Sequence, residues 1–404
     1  MLYTNAYVFQ GKEGFIKGGL RVTDGRIAQV IRGEAGADRP DHGPDHARAG
    51  GRQSAEYKAP ADEWPEEETD LQGMYVIPGL VDIHSHGNSG CDFSDGDPEG
   101  LKVMGRFDAQ HGITSFLPTS MTLPYDRLET AFLTAKRYRE EWDGISSRLA
   151  GIHMEGPFFS EKKKGAQNSA YLRLPDADAV MQLQKACGGL IRIVDVAPEL
   201  PGAEAFIREM AAHCRVSVAH TDASYEEAAR AFDAGALHVT HLFNAMPSLH
   251  HRKPGVIGAA AERENVTAEL ICDGLHVHPS VIRLAFKLFA DRICMVSDSL
   301  RCCGMPDGEY DLGGQTVYLR NGEARLADGT LAGDVSDLYS DMVNAIRFGI
   351  PAEQAVMAAT ITPAEAIGAD HEIGSLEEGK LADFVVCDRN WKIGQVVIGG
   401  KRVL

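Results

Sequence analysis

Polar and apolar positions change period twice along the chain. In the first 31 residues apolar and polar side chains alternate, as in Arg21-Val22-Thr23 and Arg26-Ile27-Ala28-Gln29-Val30. Asp24-Gly25 between those two stretches predicts a hairpin turn joining antiparallel strands. From residue 33 to about 70 the chain turns polar and rich in Gly, Pro, Asp and Glu. Such a stretch buries little apolar surface and is expected to be a mobile surface insertion, with His42 and His46 as solvated loop residues. After Tyr75 the pattern becomes eight short apolar runs, at 76–84, 113–118, 149–155, 191–197, 216–221, 239–243, 268–273 and 293–298. Helix-length segments separate most of them, among them 125–141, 176–186, 203–212, 225–234 and 279–290. Strand–helix alternation implies parallel pairing, and eight repeats close a barrel. An open doubly wound sheet would instead gather ligands where the strand order reverses. Two more helices are expected at 337–348 and 351–367, followed by strands at 384–387 and 395–398 with a Gly399-Gly400 turn. The prediction is a (β/α)8 TIM-type barrel over residues 76–367. A small β-sandwich domain is expected from both termini, residues 1–75 and 368–404.

Reactive side chains of such a barrel belong at the carboxyl ends of its strands. This chain places imidazoles and carboxylates there repeatedly: His84 and His86 at the end of the first run, Glu155 at the end of the third, His220 at the end of the fifth, His241 in the sixth and Asp298 at the end of the eighth. Residues two apart on a strand point to one side, so His84 and His86 can share an ion. Any one of these alone reads as a packed or turn residue. Jointly they point to a metal site, because buried charges are costly unless paired or metal-bound. His153, two residues before Glu155, is expected to support the ligands from behind. His111, His213, His238 and His371 lie off the strand ends and take a structural reading.

Charge narrows the classes of partner. Of 404 residues, 40 are Lys or Arg and 58 are Asp or Glu, a formal net charge of −18. That excess argues against general binding to nucleic acid or anionic membrane surfaces. The first ten residues lack the basic flank and apolar core of a secretory signal, and no apolar run reaches membrane-spanning length. The eight cysteines are scattered without a CxxC pair, which suits reduced thiols and a cytoplasmic enzyme.

Several segments carry a resemblance over nearly the whole chain outside the polar insertion. They are Pro78-Gly79-Leu80-Val81-Asp82-Ile83-His84-Ser85-His86-Gly87, His153-Met154-Glu155-Gly156-Pro157-Phe158 and Lys163-Lys164-Gly165-Ala166-Gln167. Thr240-His241-Leu242-Phe243-Asn244-Ala245-Met246-Pro247, Arg252-Lys253-Pro254-Gly255, Asp273-Gly274-Leu275-His276 and Thr330-Leu331-Ala332-Gly333 follow in order. Together they resemble the amidohydrolase superfamily, and within it the N-acetylglucosamine-6-phosphate deacetylases. The resemblance implies hydrolysis of the acetamide of N-acetyl-D-glucosamine 6-phosphate to glucosamine 6-phosphate and acetate.

By the same resemblance Glu155, His220 and His241 hold the principal divalent metal, Zn²⁺ or Fe²⁺. Some relatives have Gln and Asn at the positions of His84 and His86; keeping both imidazoles implies one or two ions per chain, with Glu155 placed to bridge. Asp298 is implied as the base that takes a proton from water and returns it to the leaving amine. Arg252 is implied at the phosphate, with Asn244 and Ala245 beside it, His276 on the sugar, and Ala166, Gln167, Leu331, Ala332 and Gly333 around the pocket. The chain departs from the usual pattern in three places: Gln167 where many relatives have His, Asp334 where a small hydroxyl residue is expected, and Cys302-Cys303 in the loop after Asp298. A homodimer is expected by resemblance. The nearest alternative is the same hydrolysis on N-acetylgalactosamine 6-phosphate. Cyclic-amide hydrolases and nucleobase deaminases more often carry a lysine on the fourth strand, and residues 191–199 contain none.

Overall fold

The computed structural model describes residues 1–33 and 67–404. The insertion expected at 33–70 therefore falls, with His42 and His46, largely outside the described residues, but its far edge is regular. Glu68–Asp70 is a strand that pairs in parallel with Leu2–Phe9.

Eight parallel strands form the centre: β1 (Leu80–Ser85), β2 (Ile113–Ser120), β3 (Ile152–Phe158), β4 (Ile191–Val196), β5 (Arg215–Val218), β6 (His238–Val239), β7 (Thr267–Leu270) and β8 (Ile293–Met295). Each pairs with its sequence neighbour. The cylinder closes just beyond β8. Ser85 and Ser299 form a parallel bridge, and the amide of Asp298 donates to the carbonyl of His84 at 2.9 Å. Strands covered on both faces need apolar side chains throughout, which is why they read as continuous runs.

The helices around the barrel present one apolar stripe each. Tyr225–Ala234 buries Ala228, Ala231 and Phe232, and starts at a Ser224–Glu227 capping box. The helix expected at 351–367 is divided instead into Ala352–Ala359 and Ile361–Ala366. Pro363 has no N–H to offer a preceding turn, so it is accommodated in the first turn of a new helix.

The run at 76–84 serves two sheets. Tyr75–Pro78 pairs with Leu2–Phe9 and with Phe384–Cys387, and the barrel strand begins only after Gly79. A Cβ at Gly79 would lie 2.1 Å from Thr114 Oγ1, so only glycine lets the ribbon pass from one sheet to the other. Where a small β-sandwich is expected, strands from both termini join in one eight-stranded sheet, with Tyr3, Val8, Ile27, Val76, Phe384 and Val397 in a shared buried cluster. Both expected hairpins are present, Phe15–Thr23 with Arg26–Arg32 and Ile393–Ile398 with Lys401–Arg402.

A three-stranded antiparallel sheet, Gly308–Leu312, Gln315–Arg320 and Glu323–Leu326, follows β8. The hydrophobic pattern gave no expectation for it. Gln315 Nε2 of this sheet donates to the carbonyl of Ala166, which ties it to the loop after β3.

Candidate metal centre and active site

Five strand ends bring their polar side chains to one point. Glu155, from β3, is at the centre. Its Oε1 lies 3.0 Å from His220 Nε2 and 3.2 Å from His241 Nε2, and those two nitrogens are 3.1 Å apart. Donor atoms around a tetrahedral ion with bonds of about 2.0–2.1 Å stand roughly 3.3 Å from one another, so this triangle has the size of a cation cradle. His84 and His86 stand on the other side. His86 Nε2 is 3.4 Å from Glu155 Oε2 and 3.3 Å from Asp298 Oδ1. His84 Nε2 is 3.8 Å from Glu155 Oε1 and 3.4 Å from Asp298 Oδ1. Donor atoms of both triplets, Glu155–His220–His241 and His84–His86–Glu155, are close enough to hold an ion each, with Glu155 common to both.

The residues fit a metal. His84 Nε2 is buried without a hydrogen-bond partner among the described residues, facing two carboxylates. A buried nitrogen left this way is costly unless something absent from the polypeptide meets it. The backbone bears the strain of presenting these groups: His220, His241 and Asp298 all have left-handed φ, at 43°, 29° and 48°. Side chains with a Cβ rarely adopt that region, and functional sites are where such strain collects.

The electrostatics are those of a crowded polar pocket. Burial alone would raise the Glu155 carboxyl, but hydrogen bonds from His220 and His241 hold it well below the usual range. Burial would likewise raise Asp298, and the imidazoles of His84 and His86 outweigh it and hold this carboxyl low. Asp298 is thus an ionised acceptor beside the cradle.

Behind the ligands lies a layer of which motif spacing pointed only to His153. Glu269, fully buried on β7, accepts from His84 Nδ1 at 2.8 Å, from His238 Nε2 at 3.2 Å and from the main-chain N–H of His241 at 3.1 Å. It fixes which nitrogen His84 turns to the cluster. His153 bonds Asp195 Oδ1 at 3.0 Å and the carbonyl of Ile83 at 3.0 Å, holding β1, β3 and β4 together rather than facing the cradle. His238, expected to be structural, is a member of this layer. The visible signal was a glutamate inside an otherwise apolar strand, Ala268-Glu269-Leu270.

The family model described as the amidohydrolase family matches residues 75–403. The chain belongs to the amidohydrolase family. Among relatives, the N-acetylglucosamine-6-phosphate deacetylase of Vibrio furnissii is 36% identical over 331 residues, covering 81% of this chain and 82% of its own. The N-acetylgalactosamine-6-phosphate deacetylase of Escherichia coli O157:H7 is 33% identical over 335 residues, covering 82% of this chain and 89% of its own. The solved N-acetyl-D-glucosamine-6-phosphate deacetylase of Mycobacterium smegmatis superposes with a TM-score of 0.86 at 29% identity, each chain covered completely.

The remaining residues expected around this amidohydrolase's pocket lie in the segments that follow its strands. Asn244 and Ala245 form the turn directly after His241; Ala245, at φ 51°, accepts from the amide of Thr221. His276 is held at both nitrogens, by Asp273 Oδ2 at 2.7 Å and by the carbonyl of Ala332 at 2.6 Å. Both partners accept only, so both nitrogens carry hydrogen. Burial would lower this imidazole, but the Asp273 carboxylate outweighs it and lifts the pKa to about 9. A sugar hydroxyl would have to exchange with one of these bonds. Leu331, Ala332 and Gly333 run beside the end of β8. A Cβ on Gly333 would lie 2.3 Å from the carbonyl oxygen of Asp298, which makes glycine obligatory there. Gln167 is buried against Glu155. Arg252 stands on the exposed turn 250–253, its Nη1 2.7 Å from His251 Nε2, and no described contact joins it to the cluster.

The departures from pattern are absorbed locally. The Asp334 carboxylate accepts from the hydroxyl of Ser336 and from the amide of Val335, closing a buried turn. Cys302 and Cys303 are buried, and burial pushes the Cys302 thiol up to about 11.

Proposed function

We propose that this amidohydrolase removes the acetyl group from an N-acetylated amino sugar 6-phosphate, N-acetyl-D-glucosamine 6-phosphate first. The observation that carries the reading is the pair of donor triplets sharing Glu155, with the carboxylate of Asp298 beside His84 and His86. Glu155, His220 and His241 hold the principal ion, Zn²⁺ or Fe²⁺, and His84 and His86 provide for a second. When bound, the ion supplies Lewis acidity, polarising an amide carbonyl and acidifying water. The chain's own groups do the rest. Asp298 accepts a proton from water and delivers it to the departing nitrogen, which leaves poorly unless protonated. Glu269 keeps His84 in the tautomer that offers Nε2 to the cluster. The backbone between His276 and Gly333 shapes the wall on the sugar side.

The test is release of acetate from N-acetyl-D-glucosamine 6-phosphate by protein loaded with a known metal. Turnover is expected with metal, loss on chelation, and recovery on adding the ion back. Full activity in a chelated, metal-free preparation would overturn the reading. The relative from Escherichia coli favours a second possibility, the galactosamine epimer, and rates on the two epimers side by side decide between them.

Arg252 is assigned the phosphate. Within a chain of net charge −18, the turn His250-His251-Arg252-Lys253 is a concentrated basic patch next to a strand end. Arg252→Ala is expected to raise KM for the phosphorylated sugar at least tenfold, with much less effect on unphosphorylated N-acetylglucosamine. Equal losses on both substrates in steady-state kinetics would remove the phosphate role. A homodimer and a cytoplasmic location belong to the same reading. All eight cysteines are unpaired, which supports a reducing compartment, and no helix among the described residues is long and apolar enough to cross a membrane.

A further inference from the structure

The two oxygens of Glu155 are not equivalent. Oε1 faces His220 and His241 and stands 3.8 Å from His84 Nε2, whereas Oε2 faces His86 and also receives the side-chain amide of Gln167 at 2.5 Å. The orientation of that amide is fixed from its other end. The main-chain N–H of Thr122 donates to Gln167 Oε1 at 2.8 Å, so the carbonyl must face Thr122 and the NH₂ must face the carboxylate. Gln167 is buried, and the loop that carries it is held by Gln315 through the carbonyl of Ala166. Its amide therefore has little room to turn away.

A cation bridged to His84 and His86 through Glu155 would bind through Oε2, since Oε1 serves the other pair. At Oε2 it meets the partly positive hydrogens of the Gln167 amide, already engaged with the same atom. At Oε1 no side-chain amide competes, and the hydrogen bond on Oε2 steadies the carboxylate that presents Oε1 to His220 and His241. We propose that Gln167 makes the two cation positions unequal, favouring the one at His220 and His241 and weakening the one at His84 and His86. Gln167 is then a positioning residue that sets how many ions the chain holds at a given free concentration. This rests on the metal-centre reading above.

Two substitutions separate the amide from its shape. Gln167→Met keeps length and volume and removes the donor. Gln167→Glu can still accept from Thr122 but sets a carboxylate against Glu155, an arrangement that a cation between them relieves. Purified chains would be dialysed to equilibrium against buffered Zn²⁺ over a range of free concentrations and the metal per chain counted, with a parallel Co²⁺ titration read by its visible absorption. The unsubstituted chain should fill in two steps, the second at least tenfold weaker. In both variants the second step should tighten tenfold or more and the first should move less than about threefold. Adding His86→Ala to either variant should abolish the gain. Second-step affinity unchanged in both variants, or a gain that survives His86→Ala, overturns the role of Gln167. A chain that binds no ion at any concentration would instead sink the metal centre itself.

Discussion

Replacing Asp298 by asparagine is expected to lower kcat by about 10²- to 10⁴-fold, the span typical of removing a positioned general acid–base. The two residues have nearly the same shape, but the amide cannot take a proton from water or hand one to nitrogen. The fold should survive, because Asp298 closes the barrel through its main chain: its amide donates to the carbonyl of His84 and its carbonyl accepts from the amide of Asp334. Metal content at the His220–His241 position should be retained, since Asp298 is not among that triplet. The measurement is therefore paired, turnover of acetate release against metal per chain. A variant with metal intact and near-normal turnover removes Asp298 from the mechanism.

Glu269→Ala should cost about 3–5 kcal/mol of stability, because several buried donors lose their shared acceptor at roughly 1–3 kcal/mol each. The substitution removes the one carboxylate that His84 Nδ1, His238 Nε2 and the amide of His241 all use, and it leaves those groups buried without an acceptor. Burial would raise this carboxyl, yet its electrostatic interaction with the His84 imidazole and the hydrogen bonds from His238 and His84 hold it well below its ordinary range. Its contribution is thus present above the ordinary pKa of glutamate and fades as the pH falls below it. The readout is the denaturant midpoint of the metal-free protein at neutral pH, with metal binding at the His84–His86 position measured alongside. Glu269→Gln keeps an acceptor and should lose much less. A Glu269→Ala midpoint indistinguishable from that of the unsubstituted chain would contradict the account.

The barrel was legible because the covering of its strands on both faces leaves a one-dimensional trace, short apolar runs at near-regular spacing. The ligands were legible for the complementary reason: His84, Glu155, His220 and Asp298 each interrupt or end such a run where an apolar residue would otherwise stand. Glu269 carried the same signal but sits within its run, and only the three-dimensional fold shows that its neighbours are imidazoles from β1 and β6. The division at Gly79 was hidden because a strand that leaves one sheet for another keeps its hydrophobic pattern. The three-stranded sheet after β8 was hidden differently. Its strands are largely exposed, as in Gly308-Glu309-Tyr310-Asp311-Leu312, so burial imposes little pattern on them. The engagement of Gln167 with Glu155 lies beyond any linear reading, since it depends on the Thr122 amide, 45 positions away in sequence.

The closure between the first and last strands has a consequence for how such a scaffold can diversify. Two of its connections are main-chain bonds made by residues whose side chains face the reacting centre: Asp298 to His84, and His86 to Ser299. Architecture and reactivity are thus assigned to different atoms of the same residues. An exchange at position 84, 86 or 298 alters what the mouth can bind while the cylinder stays sealed, so new ligand sets can be sampled without first reinventing the container.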